Sequence, residues 1–160
     1  MEEITYTIEQ AHKFFGIELN QLTWTLLKNP SRTVEEDEKM IHSAHGSHFH
    51  WLHCGTKVNE QRGEWLISRV YSVLGIPERA MYHALKCKKL TEDYSNDMCD
   101  FDIAYSDEAM ARAYACNHND EKCKEYFSSA MEKGNMIANK EDKEIFLGDL
   151  NSEPWFGALK

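Results

Sequence analysis

The sequence predicts an all-α fold of stacked antiparallel helix hairpins, and three observations carry that prediction. Two stretches match when written in register: Ile67, Ser68, Tyr71, Leu74, Gly75, Ala80, Ala84 and Cys87 fall opposite Met110, Ala111, Tyr114, Asn117, His118, Cys123, Phe127 and Ala130. Only 3 prolines and 8 glycines interrupt the chain, which leaves long segments suited to helices rather than a many-turned β-sandwich. Cap and stop residues bracket those segments where helices should begin and end. With 160 residues, 42% hydrophobic and 28% charged, the chain is read as one soluble domain (1–160) with a real core.

The elements follow in order. Thr7 caps a short helix expected to run to about Phe15 and to end at Gly16. A second helical segment, Ile17 to Lys28, carries Leu19, Leu22, Trp24, Leu26 and Leu27 before Asn29-Pro30 stops it, so the N-terminal quarter forms a helical arm. Thr33-Val34-Glu35-Glu36 is a capping box, in which the Thr33 hydroxyl and the Glu36 carboxylate each satisfy an open backbone N–H. That helix should run to about Cys54, with Gly55 as its stop. Asn59 to Leu74 is apolar on more than one side through Trp65, Leu66, Ile67, Val70, Tyr71, Val73 and Leu74. Gly75-Ile76-Pro77 closes it, Gly for a positive-φ stop and Pro for the first turn of a partner helix reaching about Asp93.

Tyr94 to Asp100 reads as a loop. Phe101 to Asn117 is the next helix, Asn119-Asp120 caps another that ends between Gly134 and Ile137, and Lys140 to Leu150 is a last amphipathic helix suited to cover the end of the stack.

Charge and composition exclude several classes. A net charge of -9 opposes binding to nucleic acid or an anionic membrane, and Glu60, Glu64 and Glu78 break up what Arg62, Arg69 and Arg79 would otherwise make a basic stripe. No segment approaches the ~20 consecutive apolar residues of a membrane span. The acidic start, Met1-Glu2-Glu3-Ile4, lacks the order of a secretory signal, and five scattered cysteines form no disulfide framework; a cytoplasmic location is expected.

The register of small and aromatic positions over residues 61–137 resembles the tetratricopeptide repeat, with units at about 61–94 and 101–137. Tyr71 and Tyr114 take the aromatic position of the first helix, and Ala80 and Cys123 the small position opening the second. Glu64 and Asp107 depart from the pattern, standing where a large apolar residue is usual, and the units lie 43 residues apart, which makes the Tyr94 to Asp100 loop an insertion. The resemblance implies a concave groove lined by the first helix of each pair and a non-enzymatic scaffold that binds a protein or peptide without a cofactor. In that register the groove positions are Arg62, Trp65 and Arg69, then Tyr105, Glu108 and Arg112. Arginine pairs carboxylates with a two-pronged fork, and Trp and Tyr offer large contact area at low entropy cost.

A second constellation supplies the alternative, a metal-dependent enzyme or metal-binding protein. His42, His45, His48, His50 and His53 lie within one expected helix, where His42, His45 and His53 share a side. His42 with His45, or His50 with His53, has the i,i+3 spacing that brings two imidazoles to one divalent metal, with a third ligand from a facing helix. No carboxylate sits within the run, although Glu60 or Glu64 could come from the next helix. The bland reading is a set of buried and surface histidines titrating near pH ~6.5. No nucleophile elbow or phosphate-binding loop occurs. Near the C-terminus, Trp155-Phe156 is an apolar pair that must dock somewhere, and a homodimer is one way to cover it.

Overall fold

The computed structural model describes residues 5–160; Met1 to Ile4, the acidic start, lie outside the described residues. The described residues fold as seven α-helices: α1 (Ile8–Leu27), α2 (Val34–Cys54), α3 (Lys57–Val73), α4 (Pro77–Asp93), α5 (Asp100–Cys116), α6 (Asp120–Asn135) and α7 (Lys140–Leu150). No strand occurs among the described residues, and none of their helices is long and apolar enough to cross a membrane.

Capping chemistry sets most boundaries. The Thr33 hydroxyl accepts from Glu36 N at 3.2 Å while Glu36 Oε2 accepts from Thr33 N at 2.9 Å, so the expected box opens α2. Thr7 and Gln10 form the same reciprocal pair at α1, and Asn119 and Asn139 each accept from the backbone N–H of the third residue of α6 and α7. Gly75 takes φ +69°, a left-handed stop that lets Pro77 begin α4 after two residues. Gly55 also ends its helix, but in an extended conformation.

One expectation fails at the N-terminus. α1 runs unbroken through Gly16, which stands mid-helix rather than at a stop. An interior glycine costs a helix about 1 kcal/mol, and here tertiary contact outweighs it. A Cβ at Gly16 would lie 3.0 Å from Trp51 Nε1, so its absence lets α2 lie close, and the Ser47 hydroxyl donates to Gly16 O at 2.7 Å.

Each helix packs antiparallel on the next, and α3 also touches α5, as α5 touches α7. The odd helices thus form an inner layer and the even helices an outer one. Trp24 of α1 stacks on Trp65 of α3 at 5.7 Å, which continues the inner layer to the first helix.

The two hairpins share local features at equivalent positions. Helices α3 and α5 have 17 residues each, and Lys57 to Asp100 is the same 43-residue step that separates Tyr71 from Tyr114. Tyr71 stacks on His83 at 5.8 Å and 14°, and Tyr114 stacks on Tyr126 at 5.6 Å and 20°, each twelve residues on. The small pairs Ser68 and Ala111, Ala80 and Cys123, and Cys87 and Ala130 are all fully buried where the helices cross. Large side chains such as Leu66, Ile67, Met110, Phe146 and Leu150 fill the space between, each contributing about 1.5–3 kcal/mol by leaving water.

After α7 the chain turns back over α5 and α6. Trp155 is buried edge-on against Phe127 at 5.1 Å, with the Arg112 guanidinium 4.0 Å from its ring centroid. Trp155 therefore docks within its own chain, and only Phe156 of the pair is exposed.

Candidate functional site

The inner layer forms a cleft of about 400 Å³ between α1, α3, α5 and α7, lined by Asn20, Trp24, Lys28, Gln61, Arg62, Trp65, Leu66, Phe101, Asp102, Tyr105, Ile145 and Asp149. A neighbouring hollow of about 250 Å³ shares Asn20 and Arg62 with it, and continues along α2 to Ser47 and Trp51. A third, of about 290 Å³, shares Trp51 and reaches Lys57 and Glu60. The three hollows thus adjoin through shared lining residues, from the inner face past α2 to the α2–α3 junction.

Helical spacing explains the walls. Arg62, Trp65 and Arg69 recur at three and four residues along α3, and Phe101, Asp102, Tyr105, Glu108 and Arg112 do the same on α5, so each set lies on one face. Of the six sequence-predicted groove residues, Arg62, Trp65 and Tyr105 line the cleft. Glu108 and Arg112 lie deeper and are covered, which corrects their reading as contact residues, and Arg69 does not line the cleft although its side chain, 11% exposed, is no more buried than Trp65 at 9%. Glu108 and Arg112 are each 1% exposed, because α7 and the segment after it close over this part of the inner face.

Four of the six, Trp65, Arg69, Glu108 and Arg112, form one connected network. Trp65 Nε1 donates to Glu108 Oε2 at 2.8 Å, and Arg112 Nε donates to Glu108 Oε1. Arg112 also donates to the carbonyls of Asp149 at 2.7 Å, Ser152 at 3.1 Å and Pro154 at 3.2 Å. Arg69 donates to Ser152 Oγ at 3.0 Å and lies 3.7 Å from Glu108. Burial, followed by the neighbouring Arg112 charge, lowers Arg69 to about 10.

At the cleft itself, Arg62 grips Asp102 with two bonds, Nε to Oδ1 at 2.8 Å and Nη2 to Oδ2 at 3.0 Å, and its guanidinium lies 5.0 Å from the Phe101 ring centroid. The Tyr105 hydroxyl donates to Asp149 Oδ2 at 2.6 Å. Burial and that bond to a carboxylate both push the Tyr105 phenol up, so it stays a donor. The polar tips of Trp65 and Tyr105 are thus tied down within the protein. Their ring bodies line the cleft in fixed orientation, edge to face at 4.8 Å.

The histidines separate rather than converge. His42 is exposed; His45 Nε2 meets the Tyr71 hydroxyl at 3.0 Å; His53 is exposed, with Nδ1 bonded to Phe49 O at 2.9 Å and its ring stacked on His12 at 4.3 Å. Among the described residues no group of three or more His, Cys, Asp or Glu side chains is arranged to hold a metal ion. The reason is angular: turns of α2 aim His45 and His48 at α3 and α4, and His50 and His53 at α1.

Two of the anticipated partners do meet. Glu64, buried on α3, bonds His83 Nδ1 at 2.6 Å, His48 Nε2 at 3.2 Å and Lys86 Nζ at 2.5 Å. Burial alone would raise this carboxyl, but the three donors outweigh it and hold it well below the usual carboxylate range. Asp107, one repeat later, is the equivalent acid: burial opposes its charge, and Lys133, Lys88 and Ser129 hold it low by hydrogen bonding. The two acids that depart from the repeat pattern are therefore a matched pair of interhelical anchors. Burial pushes the Cys87 thiol up, and burial with Asp120 nearby pushes Cys123 up to about 11, as befits small packing residues.

Sequence reasoning missed Trp24, Lys28, Asp102 and Asp149. Trp24 and Lys28 sit in a segment read only for its apolar face, and Asp149 lies 44 residues from its partner Tyr105. Only Asp102 carried a local sign, as the acid three residues after Cys99, whose backbone N–H its carboxylate accepts at 3.0 Å.

Comparison with family models, with curated proteins and with solved structures finds no match for the chain.

Proposed function

We propose that the chain is a non-enzymatic helical-repeat module, resembling the tetratricopeptide repeat, that binds a protein or peptide segment along its inner face. The observation carrying this reading is the run of adjoining hollows that share Asn20, Arg62 and Trp51, because a run of this kind suits a linear ligand better than a compact one. Its anchors are rigid: Trp65, Tyr105 and Arg62 are each held by a hydrogen-bonded carboxylate, so little order is lost when they take a partner.

The test is selection from a random peptide display library against the intact protein and against Trp24→Ala. The reading predicts enriched sequences that bind the native chain and lose at least about tenfold in affinity with Trp24→Ala, the size of a hot-spot truncation. No enrichment, or enriched peptides indifferent to Trp24→Ala in a variant whose thermal melt is intact, overturns it.

A further inference from the structure

The inner face uses one chemical motif twice on its own side chains. Arg62 lies over Phe101 while its fork grips Asp102, and Arg112 lies over Trp155 while bonded to Glu108. Each is a guanidinium placed between an aromatic face and a carboxylate. A third aromatic and carboxylate set stands in the cleft with no guanidinium on it. Trp24 and Trp65 stack at 5.7 Å, Tyr105 meets Trp65 edge to face, and Asp149 lies beside them on α7. The Tyr105 hydroxyl occupies Asp149 Oδ2, whereas Oδ1 has no hydrogen-bond partner and Asp149 no ion pair among the described residues. Arg112 reaches only the Asp149 backbone carbonyl, at 2.7 Å, and Arg69 is directed to Ser152 and Glu108, so neither guanidinium is hydrogen-bonded to the Asp149 carboxylate.

We propose that this third set receives an arginine side chain from a bound partner peptide, with its guanidinium laid against Trp24 and Trp65 and hydrogen-bonded to Asp149 Oδ1. The inference rests on the peptide-binding reading above and names the residue that anchors there. Arginine fits better than lysine because a planar, weakly hydrated guanidinium stacks on indole and still donates in its own plane, whereas an ammonium keeps its water. The ring faces carry negative quadrupole density, which repels a carboxylate, and the chain's net charge of -9 draws basic segments toward it. Arg62 adds no opposing field, being neutralised by Asp102. Lys28 stands exposed on the opposite wall, where its long stem can swing toward water.

The experiment titrates the intact protein with the capped pentapeptide Gly-Ala-Arg-Ala-Gly and with versions carrying lysine, citrulline or glutamate at the centre. The indole N–H resonances of Trp24 and Trp65 are followed by NMR. The arginine peptide should shift both and bind about tenfold more tightly than the citrulline peptide, which keeps the shape and loses the charge. Asp149→Asn should abolish that preference while retaining an acceptor for the Tyr105 hydroxyl, and Lys28→Gln should leave arginine binding equal or tighter. Equal binding of arginine and citrulline, preference for the glutamate peptide, or an arginine preference that survives Asp149→Asn overturns the proposal. Should Asp149→Asn not fold, Lys28→Glu serves: it must tighten arginine binding, and no change counts against. Display-selected peptides that need Trp24 yet carry no arginine would defeat this inference and leave the groove standing.

Discussion

Glu64 is a buried carboxylate balanced by three donors, two of them histidines, and removing its charge should be costly. Glu64→Gln retains the volume but leaves Lys86 and the two imidazoles without their shared anion; breaking a buried charged cluster in this way costs about 3 kcal/mol, read as a lower urea midpoint at pH 7. The sign with pH follows from the direction of its shift. A carboxyl held low in the folded state contributes stability that is complete above its unfolded value of ~4.3 and fades as pH falls through the folded one. His45 acts higher on the scale. Burial first, then the charges of His83, His48 and Arg79, lower it against the opposing pull of Glu64. The unfolded chain therefore takes up a proton near pH ~6.5 that the folded chain resists, and stability falls on acidification through that region. Urea midpoints measured from pH 8 to 5 should decline below about 6.5, and His45→Gln should flatten that decline; an unchanged slope would remove His45 as its source.

The helices themselves were largely legible, because their signals are local. Thr33 with Glu36, Gly75 with Pro77, and Asn119 each act within four residues, and all mark helix ends in the structure. Gly16 misled because its role depends on Trp51, thirty-five residues away on another helix, and no local pattern reports that contact. Gly63 follows the same logic: a Cβ there would fall 2.1 Å from His48 Nδ1, so α3 can bring Glu64 to His48 only if position 63 is bare. Gly63→Ala should destabilise by about 1–3 kcal/mol despite the better helix propensity of alanine, and should shift the His48 ring resonances. A neutral or stabilising effect in thermal melts would mean that the α2–α3 contact is looser than the structure shows.

Across the whole molecule, the cleft was only half legible for a related reason. Arg62, Trp65 and Tyr105 follow from repeat register, but the opposite walls come from α1 and α7, outside the repeated region. The burial of Glu108 and Arg112 was not legible at all, since it depends on the chain after α7 returning across α5. That return is a structural keystone. Trp155→Ala removes the ring that covers the Arg112 guanidinium and packs on Phe127, and should cost about 3–5 kcal/mol by chemical denaturation. A loss under about 1 kcal/mol would show that the segment is only loosely seated.

The joint between the two hairpins is chemically directional. Trp65 and Glu108 occupy equivalent places 43 residues apart, one donating and the other accepting, and the arginines at the next equivalent places, Arg69 and Arg112, both lean on that single acid. Splicing in another copy of the first hairpin would set indole against indole at the new seam and leave a guanidinium with no counterion. The array thus has a built-in copy number, and lengthening it would require rewriting the seam rather than merely concatenating units.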